Sequence, residues 1–226
     1  MDTYNADEEL EKLKSWWKNY GNSVIAGIVL GVALLGGITY WKQHKAERAT
    51  QASALYDKLI DSVTQNKAAA MGDDGAKLIS DYAATPYAGK AALILARVSY
   101  DAGDVDAARK HLQWAVDHAT EASTKQVARL RLARILIEQH APDLALVLAN
   151  SSDTGGFTSE FQELRGDILS SQGKKVEARA AYENALASLA KGSSYGSVLR
   201  MKLDELGTDK PAAPPQPKPQ PVEPVK

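Results

Sequence analysis

The feature that most constrains this chain is an uncharged stretch near its beginning, residues 19–41, which contains no Asp, Glu, Lys or Arg. As an α-helix this stretch is roughly 34 Å long at about 1.5 Å per residue, enough to cross a hydrocarbon core of about 30 Å. Aromatic rings of the kind that settle among lipid headgroups lie at both ends: Trp16, Trp17 and Tyr20, then Tyr40 and Trp41. The pattern predicts one transmembrane helix over residues 19–41.

Two other structures are compatible with an apolar stretch of this kind. A core helix of a soluble domain is one, although such a helix seldom needs so many consecutive uncharged residues. A cleaved signal peptide is the other, but an acidic segment precedes the stretch and Trp41–Lys45 offers no small-residue cleavage site. An uncleaved membrane anchor is therefore the favoured interpretation.

Residues 1–18 form a short polar head in which acidic side chains outnumber basic ones. Leu10, Leu13 and Trp17 follow helical spacing, which is typical of an interfacial amphipathic turn, and a frayed solvated leader is equally compatible. Three Lys or Arg side chains lie close to the stretch on each side, so the positive-inside rule does not orient it. A short head before a large domain favours a cytoplasmic head.

Gly27 and Gly31 lie four residues apart within the apolar stretch, on one face of the predicted helix. Small residues at this spacing let two membrane helices approach closely, so the pair predicts a helix contact inside the bilayer. Glycine is also frequent in membrane helices in general. Both interpretations of the pair stay open at this point.

The composition after the apolar stretch favours an all-α domain followed by a tail. Seven of the nine prolines lie after Thr208, and only Pro86 and Pro142 occur before it. Ala, Leu, Glu, Lys and Arg dominate residues 42–207, which predicts one domain built from helices. The proline-rich residues 208–226 cannot form a core and predict a disordered tail. A net charge of −1 gives no indication of a nucleic-acid partner.

An internal repeat runs through the helical part of the chain. Aligning the sequence on Ala108, Ala145 and Ala178 gives steps of 37 and 33 residues, and a degenerate earlier unit is centred on Ala76. This pattern resembles the tetratricopeptide repeat, whose period is about 34 residues and whose unit is a pair of packed helices. The repeat predicts an α-solenoid over residues 42–207.

Several details of the repeat suit helix pairs that pack closely. Small residues in the first helix of each pair face the aligned alanines: Ala96, Ala133 and Gly166. Leu112 and Tyr182 fill the wedge in the first and last full units, and His140 replaces the turn glycine of the middle unit. Residues 198–206 predict a capping helix. Residues 72–75, Gly-Asp-Asp-Gly, predict the end of the helix that leaves the membrane.

The sequence contains no motif for catalysis. It has no cysteine, phosphate-binding glycine loop, serine elbow or zinc-protease motif. A metal site needs three or four converging ligands, and His111 and His118 lie two helical turns apart, so we interpret them as surface residues. We therefore predict a binding protein that is not an enzyme and takes no metal or cofactor.

The first helices of stacked pairs line the concave side of such a repeat array. The repeat register turns seven side chains toward that side: Lys90, Arg97, Tyr100, Arg134, Glu138, Glu163 and Asp167. Mixed charges beside an aromatic ring suit a polypeptide ligand better than nucleic acid or lipid. An ordinary solvated helix face is the alternative for each of these residues.

The acidic head, the single span with an aromatic exit, the immediate helical continuation and the degenerate repeats together resemble a known family. It is that of the ancillary SecYEG translocon subunits of Gram-negative bacteria, the YfgM family. The closest stretches are Leu130–Arg134, Leu164–Asp167, and Gly173 with Ala178–Arg179. The resemblance extends from the head to about Leu206, and the proline-rich tail departs from the usual pattern.

The resemblance implies a bacterial inner-membrane protein with a cytoplasmic N-terminus and a periplasmic repeat domain. It also implies association with the SecYEG translocon and with the membrane-anchored periplasmic chaperone PpiD. The expected role is to hand emerging or unfolded polypeptides to periplasmic chaperones. A repeat scaffold for another cell-envelope assembly complex is the alternative, and so is an enzyme with an unrecognised site.

Overall fold

The computed structural model describes residues 3–190 and 192–207, and within them the chain forms α-helices and no strand. The all-α fold class is confirmed. The predicted tail, residues 208–226, lies outside the described residues, as do the first two residues of the head. The helices are α1 Thr3–Thr64, α2 Ala68–Asp81, α3 Pro86–Asp101, α4 Val105–His118, α5 Ala122–Glu138, α6 Pro142–Ala149, α7 Thr158–Ser171, α8 Lys175–Ser188 and α9 Gly196–Glu205.

The chain divides into two compact units, Met1–Ala88 and Gly89–Lys226. The division falls at the beginning of α3, inside the segment 42–207 that the sequence pattern treats as one domain. The first unit contains the apolar stretch and the pair α1–α2. The second contains the remaining helix pairs and α9.

Helix α1 joins the head, the apolar stretch and the first helix of the repeat region without a break. Its 62 residues span about 93 Å, and this continuity confirms the predicted helical continuation beyond the span. In the described part of the chain, α1 is the one helix long and apolar enough to cross a membrane, and none of its most apolar window is buried. A core helix of a soluble domain would be buried there, so the exposure favours the membrane anchor.

The end of α1 lies earlier than predicted. The helix ends at Thr64, and Asn66 adopts a left-handed backbone with φ 53°. The backbone N–H groups of Asn66 and Lys67 donate to the carbonyls of Val63 and Ser62 at 3.1 and 2.9 Å. This Schellman motif satisfies the last carbonyls of the helix and stops it.

The prediction that residues 72–75 end a helix is wrong, because α2 runs through them from Ala68 to Asp81. Gly75 is buried, whereas Ala76 is exposed. The buried small residue of α2 is therefore Gly75, one position before the predicted repeat centre Ala76. A helix tolerates two glycines when one of them allows close packing, although each costs about 1 kcal/mol relative to alanine.

The small residues of the repeat lie at the predicted contacts in the second unit. Ala108, Ala145 and Ala178 are all 0% exposed. Ala96, Ala133 and Gly166 are buried on the preceding helices. The middle pair is shorter, because α6 ends at Ala149. The repeat register of the last three pairs is confirmed.

The last helix pair, α7–α8, shows why a small residue is needed. A Cβ placed on Gly166 would lie 2.4 Å from Cε1 of Tyr182, far inside van der Waals contact. Tyr182 is only 4% exposed and fills the wedge between α7 and α8, as predicted. Leu199 of α9 joins the same buried cluster, and Leu203 and Leu206 pack against it. The predicted capping helix is confirmed.

One turn geometry recurs after the first helix of each pair in the second unit. Gly103, His140 and Gly173 all have positive φ values, 83°, 58° and 73°. Each N–H donates to the carbonyl three residues earlier, and the following N–H donates five residues back, at distances of 2.8–3.0 Å. The turn at His140 therefore has the same Schellman geometry as the two glycine turns, and the difference lies only in the side chain.

We expect His140→Gly to raise the free energy of unfolding by about 0.5–1 kcal/mol. A left-handed backbone costs a residue with a Cβ roughly 1–2 kcal/mol, and the larger chain entropy of unfolded glycine offsets part of this gain. Chemical denaturation of the full chain in mild detergent measures the change. The matched variant Gly103→Ala should move the free energy in the opposite direction. A destabilised His140→Gly variant would contradict this account of the turn.

Candidate binding site

A pocket of about 260 Å³ lies among α3, α4 and α5. Four of the seven predicted groove residues line it, namely Arg97, Tyr100, Arg134 and Glu138. The structure therefore brings these four side chains together. The complete lining is Ala96, Arg97, Tyr100, Leu112, Arg131, Arg134, Ile135 and Glu138.

The pocket also contains Arg131, which is not one of the seven groove residues predicted from the repeat register. It precedes Arg134 by three positions, so both side chains project from one face of α5. The three-residue spacing between Arg131 and Arg134 is the sequence signal that places Arg131 beside the predicted residue. With Arg97, the pocket lining contains three guanidinium groups and one carboxylate, that of Glu138.

Two acidic side chains near the pocket are already engaged by neighbours. The hydroxyl of Tyr100 donates to both carboxylate oxygens of Glu138 at 2.9 Å, and this hydrogen bond raises the pKa of Tyr100. Nε of Arg97 donates to Asp101 at 2.6 Å, which raises the pKa of Arg97. Tyr100 thus holds Glu138 in place across α3 and α5, and Asp101 compensates the charge of Arg97.

The other two arginines of the pocket lack such compensation. Partial burial, and then repulsion from Arg97 and Arg134, lowers the pKa of Arg131. Across the residues that the structure describes, neither Arg131 nor Arg134 has an ion-pair partner within 4 Å. The pocket therefore carries a local excess of positive charge although the whole chain has a net charge of −1.

Lys90 lies near the start of α3, outside the pocket. Its ammonium forms an ion pair with Glu121 at 3.4 Å, with both side chains about two-fifths exposed. A pair this exposed contributes roughly 0–1 kcal/mol to stability. The structure does not bring Lys90 together with the residues of the pocket.

Glu163 and Asp167 belong to a separate polar network under α9. The ammonium of Lys202 donates to Glu163 at 2.6 Å and to Asp167 at 2.7 Å. The hydroxyl of Tyr195 donates to Glu163 at 2.8 Å, and that of Tyr182 donates to Asp167 at 2.7 Å. Glu163 is only 5% exposed. These two carboxylates are thus paired inside the chain, and they do not line the pocket.

The network under α9 raises the pKa of three of its members. Burial, and then the hydrogen bond to Asp167, raises the pKa of Tyr182. Burial and the hydrogen bond to Glu163 raise the pKa of Tyr195. For Lys202, burial lowers the pKa, but the hydrogen bonds to Asp167 and Glu163 outweigh it and leave the pKa raised. All three groups therefore keep their protons to a higher pH in the folded chain.

We expect Tyr195→Phe to lower the free energy of unfolding by about 1–2 kcal/mol at neutral pH, because buried Glu163 loses a donor. Because the pKa of Tyr195 is raised in the folded chain, its hydrogen bond contributes fully to stability below the ordinary tyrosine pKa of about 10. This contribution to stability is lost as the pH rises through the pKa of Tyr195 in the folded chain. The difference in free energy of unfolding between wild type and Tyr195→Phe should therefore become smaller above about pH 10. Denaturation curves at about pH 7 and about pH 11 measure it. A gap that widens in alkali would contradict this assignment.

No catalytic or metal-binding constellation joins the pocket. Within residues 3–190 and 192–207, no group of three or more His, Asp or Glu side chains lies close enough to hold a metal ion. His118 stacks on Trp114 with ring centroids 5.1 Å apart, and burial lowers the pKa of His111. His111 is half-buried and His118 exposed on α4, and neither belongs to a cluster of potential metal ligands among the described residues.

Gly27 and Gly31 lie on the exposed apolar part of α1. Apart from the backbone of the helix itself, nothing lies within 4 Å of a Cβ placed at either position. Neighbouring apolar side chains such as Val29 and Leu30 are more than three-fifths exposed. This face of α1 is therefore open to lipid or to another helix, and the predicted helix contact stays a prediction.

The helix pairs and the exposed apolar helix fit a membrane-anchored repeat protein, and comparisons with known proteins assign its class. Residues 14–208 match the family model of the tetratricopeptide repeat-like domain. A protein of Haemophilus influenzae is 32% identical over 201 residues, which cover 88% of this chain and 97% of the relative. A protein of Escherichia coli is 28% identical, covering 91% and 99%. A protein of Neisseria gonorrhoeae is also 28% identical, covering 88% and 96%.

Each of these relatives has the name ancillary SecYEG translocon subunit. The chain belongs to this family, which confirms the resemblance stated from the sequence and the TPR-like fold class. A TPR-like ancillary subunit is non-catalytic in kind, in line with the prediction of a binding protein. The candidate span at the start of the chain fits a membrane-anchored protein.

Proposed function

We propose that this protein is an ancillary subunit of the SecYEG translocon that links emerging polypeptides to periplasmic chaperones. The observation that carries the proposal is the match to relatives with that name over about 90% of this chain and nearly all of theirs. A match of this extent includes both the span and the repeats. In this proposal the span makes the membrane contact and the repeats provide the polypeptide-binding face.

The proposed location is the bacterial inner membrane, with the head in the cytoplasm and the repeats in the periplasm. The absence of cysteine makes this orientation directly testable. Single-cysteine variants Ser15→Cys and Ser197→Cys would be treated with a membrane-impermeant maleimide on spheroplasts. The proposal expects labelling at position 197 and none at position 15 until the membrane is lysed. The reverse pattern would refute the orientation.

The proposed membrane contact uses the face of α1 that contains Gly27 and Gly31. Its support is the open, small-residue surface there, which lets a second helix approach to backbone distance. The proposed polypeptide contact uses the face of α3 and α5, where Tyr100, Glu138 and the pocket arginines combine an aromatic ring with both signs of charge. The periplasmic partner on that side would be PpiD or an unfolded chain.

Affinity purification from membranes in mild detergent, followed by mass spectrometry, tests the proposal. One chain has its native span, and the control has an unrelated transmembrane helix in place of residues 22–40. We expect translocon subunits with the native span and their loss with the replacement. Recovery with both chains would assign the contact to the repeats. Recovery of a different envelope complex would replace this function with that of a scaffold for its assembly.

A further inference from the structure

The pocket among α3, α4 and α5 has more positive than negative side chains in its lining. Three guanidinium groups line it, and only that of Arg97 has an acidic partner in the described residues, Asp101. Arg131 and Arg134 project from one face of α5, and repulsion from Arg97 and then Arg134 adds to the effect of burial in lowering the pKa of Arg131. An anion bound beside like charges reduces their mutual repulsion.

Glu138, the one carboxylate of the pocket lining, forms no ion pair with Arg131 or Arg134. The hydroxyl of Tyr100 donates to both oxygens of Glu138 at 2.9 Å, and no ion pair within 4 Å joins Glu138 to a cation among the described residues. Glu138 lines the same pocket and repels an anion in proportion to its charge, so it disfavours a multiply charged group such as a phosphate more than a singly charged one. The local field therefore favours a ligand group with a single negative charge.

The floor of the pocket is apolar. Ala96 is 3% exposed, Leu112 2% and Ile135 5%, and all three line the cavity. A volume of about 260 Å³ accommodates a small group with an attached apolar side chain but not a folded element. A ligand that fits both features has a carboxylate next to an aliphatic side chain.

We propose that this pocket binds a carboxylate of a polypeptide through Arg131 and Arg134, with an adjacent aliphatic side chain of the same polypeptide on the floor formed by Ala96, Leu112 and Ile135. Guanidinium groups hold carboxylates through paired, charge-assisted hydrogen bonds, which supply both affinity and orientation. The carboxylate comes from a glutamate or aspartate side chain or from a chain terminus. This inference rests on the proposed polypeptide-binding function and specifies its ligand chemistry.

Fluorescence anisotropy with the full chain in a neutral detergent tests the proposal. The first probe is a short fluorescein-labelled peptide of leucine, serine and glycine with one central glutamate and an amidated C-terminus. The second has glutamine in place of the glutamate. The third has the glutamine and a free C-terminal carboxylate, so the three probes separate a side-chain carboxylate from a terminal one.

We expect the glutamate peptide, the free-terminus peptide, or both to bind about tenfold more tightly than the amidated glutamine peptide. The preference should fall as salt is added. In the double variant Arg131→Gln/Arg134→Gln, the ratio of the affinities for the carboxylate peptides and the amidated glutamine peptide should approach one. The control Arg165→Gln, an exposed arginine on α7 outside the pocket, should keep the full ratio.

The outcomes separate this inference from the function on which it rests. Equal binding of all three peptides to the wild-type chain would overturn the carboxylate site and leave polypeptide binding intact. A preference that persists in the double variant would overturn the assignment to Arg131 and Arg134. Failure of every peptide to bind would overturn both the site and the proposed polypeptide-binding role, whereas the membrane contact would still be judged by the span replacement.

Discussion

Ala178→Glu is expected to lower the free energy of unfolding by about 3–5 kcal/mol, which removes a large part of the stability of an ordinary domain. Ala178 is 0% exposed and lies in the cluster formed by α7, α8 and α9. A glutamate there either buries a carboxylate without a partner or forces the helices apart. Chemical denaturation of the full chain, followed by circular dichroism, measures the effect.

A matched control for this variant exists on the same helix. Ala180 lies two residues further along α8 and is exposed. Ala180→Glu has the same helix propensity and charge change, so it should alter the free energy of unfolding by no more than about 0.5 kcal/mol. Similar denaturation curves for Ala178→Glu and Ala180→Glu would show that the repeat register is wrong at this contact.

Lys202→Met is expected to lower the free energy of unfolding by about 3 kcal/mol. The side chain of Lys202 is 23% exposed and that of Glu163 only 6%, so removal of the ammonium leaves a buried carboxylate without its cation. Breaking one side of a buried ion pair typically costs 3–5 kcal/mol, and the remaining donor Tyr195 reduces the loss. Methionine keeps most of the apolar stem of lysine, so the change removes mainly the ammonium and its hydrogen bonds to Glu163 and Asp167.

Neutralising Glu163 and Asp167 should restore most of the free energy of unfolding that Lys202→Met loses. Adding Glu163→Gln and Asp167→Asn to Lys202→Met replaces the two carboxylates with neutral groups, and a neutral network is compatible with burial. The control Lys175→Met changes an exposed lysine on α8 and should have little effect. If the triple variant is no more stable than Lys202→Met alone, the network does not hold α9 in the manner described.

The sequence determined the helix contacts of the repeats because those contacts depend on local rules. A small residue at a fixed distance from a turn is needed wherever two helices approach closely, so Ala108, Ala145 and Ala178 were sufficient to locate them. The turns were harder to predict. Asn66 and His140 adopt the backbone usually given to glycine, and both residue types are enriched there but far from diagnostic. Residues 72–75 therefore looked like the missing turn.

The candidate site was predicted only in part, because register alone does not reveal what covers a helix face. Arg97, Tyr100, Arg134 and Glu138 meet in the pocket as helical spacing requires. Glu163 and Asp167 follow the same spacing, but Lys202 on α9 pairs with both across more than 30 residues of sequence. No local pattern contains that contact. The pairing of Glu163 and Asp167 with Lys202 follows from the packing of α9 on α7, which the local sequence does not specify.

Site-specific photo-crosslinking in cells tests the central claim most directly, namely that the α3–α5 face of this translocon-associated protein receives emerging polypeptides. A photoactivatable phenylalanine derivative would replace Tyr100 in one chain and Val176, an exposed residue of α8, in the control. The account predicts that position 100 crosslinks to a newly synthesised secreted protein arrested in the translocon, and that position 176 does not. Equal crosslinking from both positions, or none from position 100, would contradict it.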